Sequence, residues 1–309
     1  MPPQKIASFD DSGRISGLSL DRRVQLAAYW ELTKPRLSMM AVISALLGYL
    51  AVGTIKTGSL LAVFFGTALA AGGAAALNMW WEREEDAAMN RTADRPLPMG
   101  QISPQATLIF GILLSVAGPS ILWFGGNALA GALTAITIVT YVLLYTPLKK
   151  VTPWSTEIGA FPGALPPLIG WVAAADSIGW VGLFLFAVLY VWQLPHFMAI
   201  SWLYREDYAR SGFRMLSCED EKGVRVSRKA VIWAVALLAL TILAWAVGEC
   251  GWLFLIVGSL LSIAYLKEAV GMLRARERDK PAKRLFFASI IFLPAYLLLM
   301  VVDRILFSL

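Results

Sequence analysis

Apolar residues in this chain come in long unbroken blocks. They show neither the two-residue alternation of a half-buried strand nor the single stripe of a surface helix. Nine blocks stand out, at about 37–55, 59–80, 106–124, 128–146, 158–175, 179–200, 230–248, 251–270 and 285–302. Each has roughly the 18 residues or more that a helix needs to cross a hydrocarbon core of about 30 Å. The glycines and prolines inside them (Gly72, Gly73, Pro162, Pro166, Pro167) are compatible with spanning helices, where small residues let neighbours approach closely. The pattern predicts an all-α polytopic bundle of nine transmembrane helices. A polar tail over 1–34 precedes a single membrane domain over 35–309. The split between 158–175 and 179–200 is the least distinct, because only a short turn, AADSIG, separates them.

The polar segments between blocks give the topology. With the N-terminus inside, only Lys56 and Arg304 of the 27 Lys and Arg residues fall on the outside. This is the bias that the positive-inside rule describes. The net charge of +6 is therefore a membrane-orientation signal, and nucleic acid is excluded as a partner. The tail has no short apolar core of a cleavable signal, and Asp10 and Asp11 disfavour a mitochondrial transit peptide. The expected location is the cytoplasmic (inner) membrane of a bacterium, with the N-terminus cytoplasmic and the lipid bilayer as surroundings. Composition agrees: 58% of residues are hydrophobic and 16% charged, against about a quarter charged in soluble domains. Cys218 and Cys250 fall on opposite sides, cannot pair, and lack metal-ligand spacing.

Chemistry concentrates where the second block ends, in NMWWEREEDAAMNRTADRPLPMG (78–100). Asn78, Glu82 and Asp86 recur every four residues and so line one stripe of an α-helix. Amide and carboxylate oxygens are hard ligands suited to Mg²⁺, which is commonly held by one or two carboxylates together with substrate phosphates. Taken alone, the acids also fit a solvated helix end paired with Arg83 or Arg91. A second inside helix end, LPHFMAISWLYREDYARSGFRML (194–216), changes the balance: Glu206 and Asp207 are followed by Arg210 and Arg214. Spans one to four and five to eight then read as a diverged repeat. Two facing acidic sites can bridge a diphosphate through Mg²⁺, with Arg and Lys neutralising the rest.

These segments, with YTPLKKVTPWS and IGAFPGALPPLIGW between them, resemble the heme-modifying branch of the UbiA-type intramembrane prenyltransferases over roughly residues 30 to 305. The resemblance implies a nine-helix bundle whose cavity opens at the cytoplasmic face. It also implies Mg²⁺-dependent transfer of farnesyl from farnesyl diphosphate to a vinyl group of heme B, giving heme O. Asn78, Glu82 and Asp86 fall on the family's first motif, with Glu82 in place of its central Asp. Glu206 and Asp207 fall on the second, where many relatives carry a run of aspartates. The resemblance thus assigns Asn78, Glu82, Asp86, Glu206 and Asp207 to catalysis, with Asn78, Glu82, Asp86 and Asp207 as metal ligands. Tyr145 and Lys149 match a YxxxK element that addresses the diphosphate, and Arg205 joins the substrate contacts. A complex with the next enzyme of heme A synthesis, or with oxidase assembly factors, is a family expectation.

Arg91 and Arg95 are expected to touch phosphate or heme propionates; the alternative is that they anchor their loop. His196, the one histidine, lies ten residues before Glu206, about 15 Å deeper along a continuous helix. It is expected to ligate heme iron or touch heme, and the competing reading is a neutral histidine bonded between helices. Lys150 and the basic run 274–284 read as interfacial charges. Two rivals stay open: a prenyltransferase acting on an aromatic or quinone-precursor acceptor, and a membrane transporter.

Overall fold

A computed structural model of the protein describes residues 22–307; most of the polar tail lies outside the described residues. Every regular element among the described residues is helical. A short helix, α1 (Arg22–Leu32), leads into α2 (Pro35–Leu50). The other long helices are α3 (Thr57–Trp81), α5 (Pro104–Gly125), α6 (Ala128–Leu148), α7 (Ser155–Ala175), α8 (Trp180–Leu203), α10 (Val224–Ala246), α11 (Phe254–Arg274) and α12 (Asp279–Phe307). Two six-residue helices, α4 (Arg83–Ala88) and α9 (Arg205–Arg210), follow α3 and α8.

Eight of these helices have the length and apolar character to cross a membrane. The ninth, α2, is apolar but only 16 residues long, shorter than the expected 37–55. Its deficit arises at the far end, where the chain leaves the helix after Leu50 and the Tyr49 hydroxyl bonds the backbone of Lys56. Helix starts follow local chemistry. Ser103 accepts from the amide of Ala106 ahead of Pro104, and Asn127 accepts from that of Ala130.

Helices α2, α3, α5, α6 and α7 pack as one ring, and α8, α10, α11 and α12 as a second, joined through α7–α8 and α2–α12. The seam between α2 and α7 needs glycine. A Cβ on Gly170 would lie 1.8 Å from the Ala45 carbonyl oxygen, and one on Gly48 would lie 2.0 Å from that of Pro167. Such close approach is how spanning helices pack where lipid offers no hydrophobic drive.

The expected inside loops meet at one end of the bundle. There Arg91 bonds Tyr208, the Arg214 amide bonds the Lys149 carbonyl, and Lys229 pairs with Glu157. At the other end Arg304 bonds the Ala51 carbonyl and Glu249, while buried Asp303 caps the start of α11 through the amides of Gly251 and Phe254. Cys218 and Cys250 are free thiols.

Candidate active site

The long helix α3 stops at Glu82, where the backbone leaves helical geometry (φ −93°, ψ 17°) and restarts as α4. The first motif is therefore not one straight helix, as its spacing suggested. Its register nevertheless survives the break: the Glu82 amide bonds the Asn78 carbonyl and the Asp86 amide bonds that of Glu82. All three side chains line one cavity and are buried, with 2%, 5% and 0% exposure for Asn78, Glu82 and Asp86. A parallel break at Tyr204 (φ −112°, ψ 22°) separates α8 from α9. The two ends of the expected repeat thus share a local geometry, with a broken span followed by a short acidic helix.

Each motif residue has a cationic or polar partner. Arg95 Nη1 lies 2.7 and 2.6 Å from the two oxygens of Asp86. Lys149 Nζ lies 2.7 Å from Glu82, and Lys34 Nζ donates to Asn78 Oδ1 at 3.1 Å. Burial disfavours the Lys149 ammonium, but the Glu82 carboxylate and the nearby tyrosines outweigh it and hold its pKa above the ordinary lysine range. Lys34 goes the other way. Burial, with Arg95 and Lys149 adding repulsion against the pull of Glu82 and Asp86, pushes it down to about 7.

Lys149 is positioned by an irregularity in α6. Residues Thr140–Tyr145 form a π turn, a feature often found at functional sites. Tyr141, Tyr145 and Lys149 all line the cavity. The Tyr145 ring fills the space that a Cβ on Gly159 would need, and Lys149 Nζ lies 4.7 Å from its centroid. Asn78 Nδ2 donates to Thr146 at 3.3 Å, tying the end of α3 to this turn.

The cavity has a volume of about 810 Å³, and Phe197, Ile200, Tyr208, Phe213 and Met215 line its side toward α8 and α9. A second, narrower cavity of about 160 Å³ begins at Lys34, Leu37 and Tyr141, which the two share. It runs between α2, α3, α6 and α7 along Ala75, Ala74, Ala71 and Ala70 to Thr67, and its walls are almost wholly apolar. From Asn78 to Thr67 is eleven residues of helix, about 16 Å of depth.

Several expected site residues lie elsewhere. Glu206 is exposed and Asp207 pairs with Arg210 at 3.3 Å; neither lines the cavity, because α9 turns Tyr208 toward it instead. Arg205 points to Asp279 at the start of α12, at 3.2 Å, and lies over Trp202. His196 faces α12: its Nδ1 is 2.6 Å from Ser289 Oγ and its ring stacks on Trp192 and Phe286. The reason is helical phase, since Phe197, Ile200 and Ser201 occupy the cavity face of α8 and leave His196 about 100° away. Arg91 and Arg95 do line the cavity, and the Arg91 guanidinium lies over the rings of Tyr204 and Tyr208 at 4.6 and 5.4 Å. Lys150 pairs with Glu85. Lys34 and Tyr141 also line the cavity, although neither belongs to a motif legible in the sequence. The first had a visible signal, a lysine directly before Pro35 at the mouth of an apolar block.

The oxygens of Asn78, Glu82 and Asp86 suit Mg²⁺ as hard donors. Among the described residues, however, no group of three or more His, Cys, Asp or Glu side chains could enclose a metal. The donor set therefore fits a cation shared between protein and a phosphate ligand, and not an all-protein cage.

A polar pocket of buried carboxylates and cations, opening into an apolar tunnel within a helical membrane bundle, suits a lipid diphosphate, and the chain belongs to the UbiA prenyltransferase family, whose model matches residues 40–291. Membership removes the transporter reading. Within that class the chain is 43% identical over 277 residues to the protoheme IX farnesyltransferase of Opitutus terrae, covering 89% of this chain and 94% of that one. To the protoheme IX farnesyltransferase of Solibacter usitatus it is 40% identical, covering 89% and 98%. The fold is shared with a structure solved in work on digeranylgeranylglyceryl phosphate synthase in membranes, at TM-score 0.75 and 21% identity over 91% of this chain and 99% of that one. A UbiA homolog from Archaeoglobus fulgidus bound to DMAPP and Mg²⁺ superposes at TM-score 0.61 with 14% identity, over 88% and 98%.

Proposed function

We propose that the protein transfers the farnesyl group of farnesyl diphosphate to a vinyl group of heme B, forming heme O and releasing diphosphate. The observation that carries the donor half is the pair of joined cavities: one lined by carboxylates and cations, the other apolar, the two together reaching about 16 Å along α3 from Asn78 to Thr67. An amphipathic donor with an anionic head and a three-isoprene tail matches both. Relatives at 43% and 40% identity that are protoheme IX farnesyltransferases support the acceptor.

Asn78, Glu82 and Asp86 would hold Mg²⁺, which when bound supplies neutralising charge to the departing diphosphate. Lys149, Lys34 and Arg95 stand beside those ligands as cationic contacts for the remaining phosphate oxygens. The bond between farnesyl C1 and oxygen breaks with its electron pair leaving on diphosphate, and the vinyl group supplies the electrons for the new carbon–carbon bond. Water then adds to the heme-side cation and loses a proton. The apolar tunnel, the rings of Tyr141 and Tyr145, and Phe213 keep water from the allylic carbon before that point. Glu206, Asp207 and Arg205 act from the rim on this reading, meeting substrate only if α9 moves inward. His196 acts on heme only from the α8–α12 seam. The protein sits in a bacterial inner membrane with this cavity on the cytoplasmic side and passes heme O to heme A synthase or an oxidase assembly factor.

The test is purified protein with farnesyl diphosphate, heme B and Mg²⁺, read by product mass. Heme O that disappears in Asp86→Ala is the expected result. Transfer to an aromatic acid acceptor, with heme B untouched, would replace this reading with the aromatic-acceptor one.

A further inference from the structure

A third cavity, of about 540 Å³, lies on the same end of the bundle as the active site but apart from it. It sits between the end of α8, the loop before α10 and the α11–α12 connection. Lys222, Arg274, Arg276 and Arg278 line it, against a single carboxylate, Glu221. Four cations converging on one concavity differ from a basic loop spread over a membrane surface.

The walls leave most of that charge uncompensated: four cations stand against Glu221 in the lining and the exposed Glu277 between Arg276 and Arg278. The other acids nearby are committed elsewhere. Asp220 is buried and accepts from the amides of Val224 and Val226, and Asp279 accepts from Trp202 Nε1 and Arg205. Lys222, Arg274 and Arg276 are exposed, and none makes an ion pair or side-chain hydrogen bond among the described residues. Arg278 is held by the carbonyls of Arg276 and Leu273, and its Nε is buried without a partner. Gly223, at φ 64°, lets the loop close on this wall: a Cβ there would lie 2.6 Å from the Trp202 ring and 2.8 Å from Arg278 Cδ. Because Asp220 already occupies the first amides of α10, an anion entering the cavity meets side-chain cations and not a helix terminus.

We propose that this cavity binds the phosphate of an anionic phospholipid headgroup. The lipid, and not a free phosphate, is favoured by the surface below it: α10 and α11 pack together and present Ile232, Val235, Leu260 and Ile263 outward, where acyl chains would run. Lysine and arginine at the headgroup level attract anionic lipid, and here three of them without an ion-pair partner among the described residues share one concavity.

The test is lipid retention by the delipidated, intact protein, followed by native mass spectrometry while phosphatidylglycerol or phosphatidylcholine is titrated in. Phosphatidylglycerol should bind at least about ten-fold more tightly, and the triple variant K222Q/R274Q/R276Q should lose that preference. An equal removal of charge outside the cavity, K267Q/K280Q/K283Q, should leave it within about two-fold. Equal losses in the two variants would overturn the proposal, since generic basic-loop attraction predicts them. Inorganic phosphate displacing phosphatidylglycerol at millimolar concentration would overturn the lipid assignment in favour of a soluble anion site. None of these readings depends on turnover, so a failed farnesyl transfer assay would leave them standing.

Discussion

Asp86 has no exposed surface and shares both carboxylate oxygens with Arg95, so two consequences of its loss can be separated. Asp86→Asn removes a proposed metal ligand and strands the Arg95 charge. We expect turnover to fall on the order of 10²–10³-fold. We also expect destabilisation somewhat below the 3–5 kcal/mol typical of a broken buried pair, because Arg95 keeps some exposure. Adding Arg95→Gln should recover most of the melting temperature and none of the activity; recovery of activity would remove Asp86 from the chemistry. Lys34 gives a pH prediction. Its pKa in the folded protein is about 7 against an ordinary 10.5. Between those values the unfolded chain holds a proton that the folded one lacks, so stability rises with pH across that window, and the full burial penalty stands below it. Lys34→Met should therefore raise the melting temperature of metal-free protein most at pH 6, with the gain shrinking toward pH 10. A gain that does not vary with pH would show that Lys34 is not depressed. Asn78, Glu82 and Asp86 were legible because their spacing survives the helix break. Lys34 carries only a local signal, its place before Pro35, since its role comes from α1 and α2 folding back onto α3.

Among the elements, α3 serves both ends of the proposed donor: its end carries the motif and its middle, Ala70 to Ala75, forms one wall of the tunnel. Large side chains here should act as a ruler. Ala74→Phe, near the mouth, should abolish use of farnesyl diphosphate while sparing a shorter prenyl donor, and Thr67→Phe, at the far end, should reduce farnesyl transfer more mildly. Product analysis with donors of two and three isoprene units checks this. Unchanged donor preference in both variants would mean that the tail does not lie in the tunnel. Apolar block length places the helix ends within about six residues, although α2 proves too short to count as a span. Helical phase was not: one sequence step on α8 separates Phe197 in the cavity wall from His196 against α12. Periodicity in a helix buried on several sides does not say which face meets the site.

For the whole molecule, charge along the sequence already grouped the loops into two sets, and the structure brings each set to its own end of the bundle. Which end faces the cytoplasm is testable with single cysteines in a background lacking Cys218 and Cys250. K280C should react with an impermeant thiol reagent only in inverted membrane vesicles, and K56C only in right-side-out ones; the reverse pattern would turn the protein over. How far the second motif stands from the first was invisible in sequence. It depends on the packing of one ring of helices against the other. Whether diphosphate departure and farnesyl transfer to heme are one reaction is decided by counting diphosphate and farnesylated heme in the same sample, with Mg²⁺ removed by chelator and then restored. One heme O is expected for each diphosphate, both lost with the metal and both regained. Diphosphate released without farnesylated heme would rule out heme B as the acceptor.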